Sequence, residues 1–516
     1  MSKVMTGREA VRKFVKDGDT VAVEGFVGLM HAEELLIALE EEFLETGHPN
    51  NLMAMHCAGQ GNSKGNGMDR WAHDGLLRGI YAGHYAVEPA IQKMVLENKI
   101  FGYNVPQGVI AQLYREIAGG KPGVITHVGL NTFPDPRIEG CKINQKAREE
   151  GDIVELIEIL GEEKLLYKSF PINVVMLRAT YADPMGNCTM EKEPVTLEMI
   201  SMAQAAKNSG GYVIVQVEDI VEQGSIDVRK IKLPGIYVDA IVKSKPENHW
   251  MGNDTPYNPA LSGEIRVPLE SLPPMPLNER KVIARRSAME LVPNAVSNLG
   301  IGVPEGVAAV GAEEGLQGLV LTTEAGTIGG IPAAKDVFGA ATNPDAIIDQ
   351  GYQFDFYDGG GLDVAFLGLA QMDQHGNINV SKFGPKLAGC GGFINITQNS
   401  KKVVYCGTFT AGGLKVKVAD GKLTILQEGK AKKLVKEVEQ ITFSGTYAQK
   451  VKQPVLYVTE RAVFELTDEG VELKEIAPGI DLQTQVLDMM DFTPIMKDVK
   501  LMDERIFKDE LMGLEI

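Results

Sequence analysis

The sequence predicts an open α/β fold that occurs twice: two similar domains from an internal duplication, each with a mostly parallel sheet flanked by helices. Three observations predict it. Short apolar runs lead into glycine turns and then into stretches of helical period, the order of a βαβ unit. That order returns in the second half of the chain, as duplication requires. And 516 residues exceed what one hydrophobic core organises, which favours two domains of roughly 200 to 270 residues.

The first unit begins at Val21. VAVEGF reads as a strand, GFVGLMH as a glycine loop, and AEELLIALEEEFLETG as an amphipathic helix stopped at Gly47. NLMAMHCAGQG, from Asn51, is the next apolar run. The pattern recurs from Val296 to Gly326, where Gly300-Ile301-Gly302-Val303 stands opposite Phe26-Val27-Gly28-Leu29, and EAGTIGG from Glu324 stands opposite CAGQG from Cys57. A second echo pairs the run from Phe170 with the run from Gly361. Each ends in D-x-x-G-N: Asp183, Gly186, Asn187 and Asp373, Gly376, Asn377. The domains are therefore drawn at 1–265 and 282–516, joined by the proline-rich, aperiodic stretch 266–281. Alternation around Asp420-Gly421 predicts a hairpin. The stretch from Met496 reads as an irregular tail packed on a neighbouring surface.

Composition narrows the function. A net charge of −18 opposes sequence-blind nucleic-acid binding, which needs basic surface. The five cysteines are scattered without a CxxC, as in a reducing compartment without a disulfide framework or zinc site. His31, His56, His73 and His84 lack metal-ligand spacing and read as packing or hydrogen-bonding residues, so no metal is expected. No apolar run approaches the roughly 20 residues of a membrane span, and the N-terminus lacks the apolar core of a signal peptide. A cytoplasmic protein is expected.

Three stretches carry chemistry. GIGVPEG from Gly300 departs from the dinucleotide fingerprint. It is either a tight strand-to-helix turn or a backbone cradle for a phosphate or oxyanion at a helix N-terminus, with Pro304 at the first helical position. Glu324 follows an apolar strand and precedes Ala325, Gly326, Gly329 and Gly330. It is a cap or solvated loop residue, or else a general base or covalent nucleophile where open α/β sheets bind ligands, the small residues clearing space for a large group. In AGCGGFINI, from Ala388, the amides of Gly391 and Gly392 are candidate oxyanion donors, and Cys390 is not favoured as a nucleophile. The basic run from Gly429 reads as a solvated face, or alternatively as a lysine source for phosphates.

TEAGTIGGIP, FDFYDGGGLDVAFLG, AGCGGFINITQ and VVYCGTFTAGGLKVK together resemble the family I coenzyme A transferases, most closely the single-chain acetate/propionate enzymes. The resemblance runs from DGDTVAVEGF to APGIDLQTQVLD. It implies Glu324 as the nucleophile and Gly300, Ile301, Gly302 and Val303 as CoA contacts. It implies Gly391, Gly392 and, from NVPQGV in the N-terminal domain, Gln107 as oxyanion or acyl contacts. It further implies ping-pong transfer of CoA between short-chain acids through a glutamyl-CoA thioester. A CoA thioester is the substrate, no cofactor is bound permanently, and the assembly is a homo-oligomer such as a tetramer. The chain reads T-E-A-G where many relatives read S-E-N-G, and its N-terminal glycine loop also departs from theirs. An acyl-CoA hydrolase, a sugar-phosphate isomerase or sensor on the same fold, and a non-catalytic CoA binder are the competing readings.

Overall fold

The computed structural model describes residues 3–268 and 274–515. The chain divides into two compact units. One comprises the chain up to Val267 together with Thr323–Asp355 and Pro385–Asn395; the other comprises Pro268–Thr322, Phe356–Gly384 and everything from Ile396 onward. Two stretches of the C-terminal half, one of them containing Glu324, thus pack with the N-terminal half.

The first unit is built on a seven-stranded sheet. Its order is Ala240–Lys243, Tyr212–Ile220, Val174–Ala182, Thr20–Val23, Leu52–His56, Leu77–Ala82 and Phe101–Asn104. Every pairing in it is parallel. Its strands are buried along nearly their whole length, which is why they read as continuous apolar runs rather than alternating ones. Helix Gly7–Phe14 opens on a capping box between Thr6 and Glu9. Its Ala10, Val11 and Phe14 join a core with Val21, Val23, Leu35, Leu36 and Leu39. Helix Glu33–Thr46 ends at Gly47, as its sequence predicts. A separate antiparallel sheet joins Gly123–Thr126, Glu162–Lys168 and Val154–Ile159.

In the second unit the strands run Val320–Thr322, Val296–Leu299, Val364–Gly368, Val403–Cys406 and Val455–Val458, all parallel. Ala462–Thr467 and Gly470–Ile476 extend the sheet antiparallel. The first five strands repeat the order Leu52–His56, Thr20–Val23, Val174–Ala182, Tyr212–Ile220, Ala240–Lys243 of the other unit. Both sequence echoes fall on equivalent strands of that order. The D-x-x-G-N turns match in detail. Asp183 Oδ1 accepts the amides of Met185 and Asn187, and Asn187 Nδ2 donates to Asp183 Oδ2. Asp373 Oδ1 accepts the amides of His375 and Asn377, and Asn377 Nδ2 donates to Asp373 Oδ2.

Other expectations need adjustment. Of the stretch 266–281, residues 269–273 lie outside the described residues, and its end is regular: Asn278 caps helix Glu279–Ala288. The hairpin forms between Lys415–Ala419 and Lys422–Gln427, with positive φ at both Asp420 and Gly421. The tail is anchored rather than loose. Lys500–Leu501 pairs with Gly470–Ile476, and the buried guanidinium of Arg285 donates to the carbonyls of Arg505, Ile506, Lys508 and Glu510.

Candidate functional site

Glu324 follows the strand Val320–Thr322 by two residues and is partly buried. Its neighbours fix the backbone on both sides. Thr323 accepts from Gly326 N (3.2 Å) and from Gln353 Nε2 (3.0 Å) at its carbonyl, donates its amide to Thr327 O (3.0 Å), and donates its hydroxyl to Gly339 O (2.7 Å). The glycines that follow do not clear room for a ligand, contrary to the sequence expectation. Gly326 has φ +112°, and a Cβ there would stand 2.0 Å from Ile348 O. A Cβ on Gly330 would stand 2.4 Å from Thr342 O, and one on Gly329 2.0 Å from Asp345 Oδ2. The chain's own atoms fill that space, because a tight turn folds the backbone onto itself.

A second loop of the same unit meets Glu324. A Cβ built on Gly392 would stand 3.5 Å from Glu324 Cγ and 3.2 Å from Phe354. A side chain at Gly392 would thus press on Phe354 and lie in ordinary contact with the Glu324 stem, so the two loops stand side by side. The two glycine amides differ in a way the sequence does not reveal. Gly391 N–H is spent on Gly83 O (2.7 Å), so it is not a free oxyanion donor. Gly392 N–H has no partner among the described residues. Gly391 O accepts from Gln107 N (2.9 Å), at the first residue of helix Gln107–Ala118. Gln107 is 2% exposed, and its Nε2 is buried without a partner. Asn104 braces the loop: its Nδ2 donates to Ala82 O (3.1 Å) and Gly83 O (2.7 Å), and its Oδ1 accepts Cys390 N (3.0 Å). Glu324, Gly391, Gly392 and Gln107 are therefore brought together.

His84 also belongs to this cluster, although its sequence suggests only packing. Its ring stands 3.9 Å from the position of a Cβ on Gly391, and burial draws its pKa down to about 4, so it is neutral near pH 7. The signal available in the sequence is its place directly after the strand Leu77–Ala82 and Gly83. Burial raises the Cys390 thiol well above its usual range, which holds it protonated and unsuited to nucleophilic attack. The same unit buries several carboxyls. Burial drives Glu24 far up and Glu198 to about 8. Burial works on Glu193 in the same direction, but Arg178 and His249 outweigh it and hold that carboxylate at about 2.

The glycine loop Gly300–Val303 lies in the other unit. Gly302 has φ +89° with open space around it. The loop leads into helix Glu305–Glu313, with Pro304 at the N-cap rather than at the first helical position. Ile301, Val303 and Pro304 line a cleft of about 190 Å³ with Gly368, Gly407, Thr408 and Lys433. Among the described residues no group of three or more His, Cys, Asp or Glu is arranged to hold a metal ion, and no helix is long and apolar enough to cross a membrane.

Comparison with known proteins supplies the family. A family model described as Coenzyme A transferase matches residues 4–244. The chain is 48% identical to the caffeate CoA-transferase of Acetobacterium woodii, over 100% of this chain and 99% of the relative. It is 42% identical to the acetate CoA-transferase YdiF of Escherichia coli, over 99% of this chain and 96% of the relative. The crystal structure of the Escherichia coli acyl-CoA transferase YdiF, a thioester complex with CoA, superposes with a TM-score of 0.94 at 41% identity, covering 100% of this chain and 98% of that one. The α subunit of a malonate decarboxylase shares the fold alone, at 15% identity and a TM-score of 0.55. Full-length likeness at these identities makes the chain a member of the coenzyme A transferase family, an enzyme whose substrate is a coenzyme A thioester.

Proposed function

We propose that the enzyme moves CoA between short-chain carboxylic acids, acetate and propionate among them, through a glutamyl-CoA thioester on Glu324. The observation that carries this reading is the close approach of Gly392 to the Glu324 side chain, with the Gly392 amide free to donate. A carboxylate nucleophile beside a free backbone donor is what acyl transfer to an oxygen nucleophile requires.

The Glu324 carboxylate attacks the thioester carbonyl. The carbon–sulfur bond breaks, giving a mixed anhydride and the CoA thiolate. The thiolate then attacks the glutamyl carbonyl, forming the enzyme thioester and releasing the first acid as its carboxylate. A second carboxylate reverses both steps. Gly392 N–H donates to the carbonyl oxygen as it gains charge, and Gln107 Nε2, buried without a partner, contacts the acyl oxygen. One such donor contributes about 3–4 kcal/mol in other acyl transfers. The loop Gly300–Val303 holds CoA. Binding energy from parts of CoA remote from the reacting bond offsets the high energy of the anhydride. Residues 1–265 and 282–516 are two related halves, the enzyme is a homo-oligomer and it works in the cytoplasm.

Intact-mass measurement and peptide mapping after mixing with acetyl-CoA alone test the reading. A CoA adduct on the Glu324 peptide, absent in Glu324→Gln and discharged by propionate, is the expected result. Because the relatives are named for caffeate and for acetate, the discharge is run with acetate, propionate and caffeate. An adduct discharged by water alone means a hydrolase. Absence of an adduct overturns the covalent route.

A further inference from the structure

Lys433 belongs to the basic run from Gly429, which reads as a solvated face. Lys430, Lys432 and Lys436 are indeed exposed, but Lys433 is only 7% exposed. Its Nζ rests against Gly407, 2.9 Å from the position a Cβ would take there. Gly407 lines the cleft beside Ile301, Val303 and Pro304, as does Lys433 itself. A side chain on Gly407 would fill the space this ammonium occupies.

The Lys433 ammonium has no hydrogen-bond or ion-pair partner among the described residues. The carboxylate whose charge it senses is Glu460, which is already engaged: Glu460 Oε1 accepts from Arg461 Nε (2.7 Å) and Oε2 from Phe409 N (2.8 Å). Burial pulls the Lys433 ammonium down to about 8, with Glu460 opposing. A buried cation without a counter-charge is costly, and a bound anion removes that cost. The loop that also lines this cleft is suited to the same ligand. The amides of Ile301, Gly302 and Val303 donate to no carbonyl among the described residues, and they stand before the nine-residue helix Glu305–Glu313, whose N-terminal end favours negative charge.

We propose that Lys433 and the amides of Ile301, Gly302 and Val303 form a phosphate-binding subsite, taken in turnover by a phosphate group of CoA. The subsite deepens the CoA assignment above and rests on it. Lys433 is a binding residue and takes no part in bond making. Its ammonium meets a phosphate oxygen, which cancels the uncompensated charge, while the loop amides donate to the same group. Gly407 is the element of sequence that lets a lysine sit so deep.

The test compares two thioesters that differ only in their phosphate-bearing part: acetyl-CoA and S-acetylpantetheine. Lys433→Met keeps the apolar stem and removes the charge. The expected KM for acetyl-CoA rises about 10- to 100-fold, the range of a hydrogen bond to a charged group, with kcat nearly unchanged. With S-acetylpantetheine the ratio of variant to wild-type kcat/KM should lie within about threefold of unity, because nothing is left for Lys433 to hold. Lys433→Arg should recover most of the acetyl-CoA affinity. An unchanged KM for acetyl-CoA overturns the proposal, and so does an equal loss with both thioesters, which marks a structural role. Lys433→Gln repeats the comparison if the Met variant fails to fold. Loss of the transferase reading looks different: the wild type then forms no adduct on Glu324 whatever Lys433 does.

Discussion

Replacing Gly326 by alanine should cost far more than replacing Gly391, although both have positive φ and both lie in the same compact unit. At Gly391 φ is +51°, inside the left-handed well, and the nearest atoms to a new Cβ are Gln107 Oε1 at 3.6 Å and His84 Cδ2 at 3.9 Å. Alanine there costs about 1 kcal/mol of backbone strain. At Gly326 φ is +112°, outside that well, and the new Cβ would lie 2.0 Å from Ile348 O. Forbidden backbone adds about 1–3 kcal/mol. Relieving the overlap moves a segment whose Ile348 N–H donates to Gly326 O (2.9 Å). Losing that bond adds about 1 kcal/mol. The total is about 2–4 kcal/mol, which lowers the unfolding midpoint on the order of 5–10 °C, against about 2–3 °C for Gly391→Ala. Scanning fluorimetry on the two variants reads the difference, and a transferase assay should show a further loss in Gly326→Ala because the turn carries Glu324. Equal midpoints would refute the assignment of these glycines to backbone packing.

Two further variants probe the surroundings of the site. Glu198, at about 8, keeps its proton in the folded state near pH 7 and loses it on unfolding, so it makes stability fall as pH rises from about 4.5 to 8. Glu198→Gln removes that proton linkage. The slope of stability against pH should flatten by up to about 1.4 kcal/mol per pH unit in that window, and unchanged slopes in pH-dependent melts would reject the shift. Asn104→Leu orphans Cys390 N–H and the carbonyls it bridges. We expect a loss of about 2–4 kcal/mol in stability together with a kcat at least about tenfold lower. A melt that drops while kcat holds would separate the brace from the chemistry.

Much of this molecule was legible in the chain itself. Buried parallel strands need unbroken apolar runs, so VAVEGF, MAMHC and VAFLG declared themselves, and the repeated D-x-x-G-N turns exposed the duplication because an Asp that accepts two amides needs those residues at that spacing. Gly47 and Asp420-Gly421 did the same for a helix end and a hairpin. Tertiary structure decided matters that depend on partners distant in sequence. Which of Gly391 and Gly392 keeps a free amide turns on Gly83, some 300 residues away in sequence. His84 and Lys433 look like ordinary surface or packing residues until burial and Gly407 give them an environment. The glycines after Glu324 suggested an opening for a ligand, but Ile348, Thr342 and Asp345 already occupy it. Local periodicity records which face of an element is apolar. It carries no record of which distant backbone takes a hydrogen bond or fills a glycine's vacancy, and those two facts settle which groups remain free for chemistry.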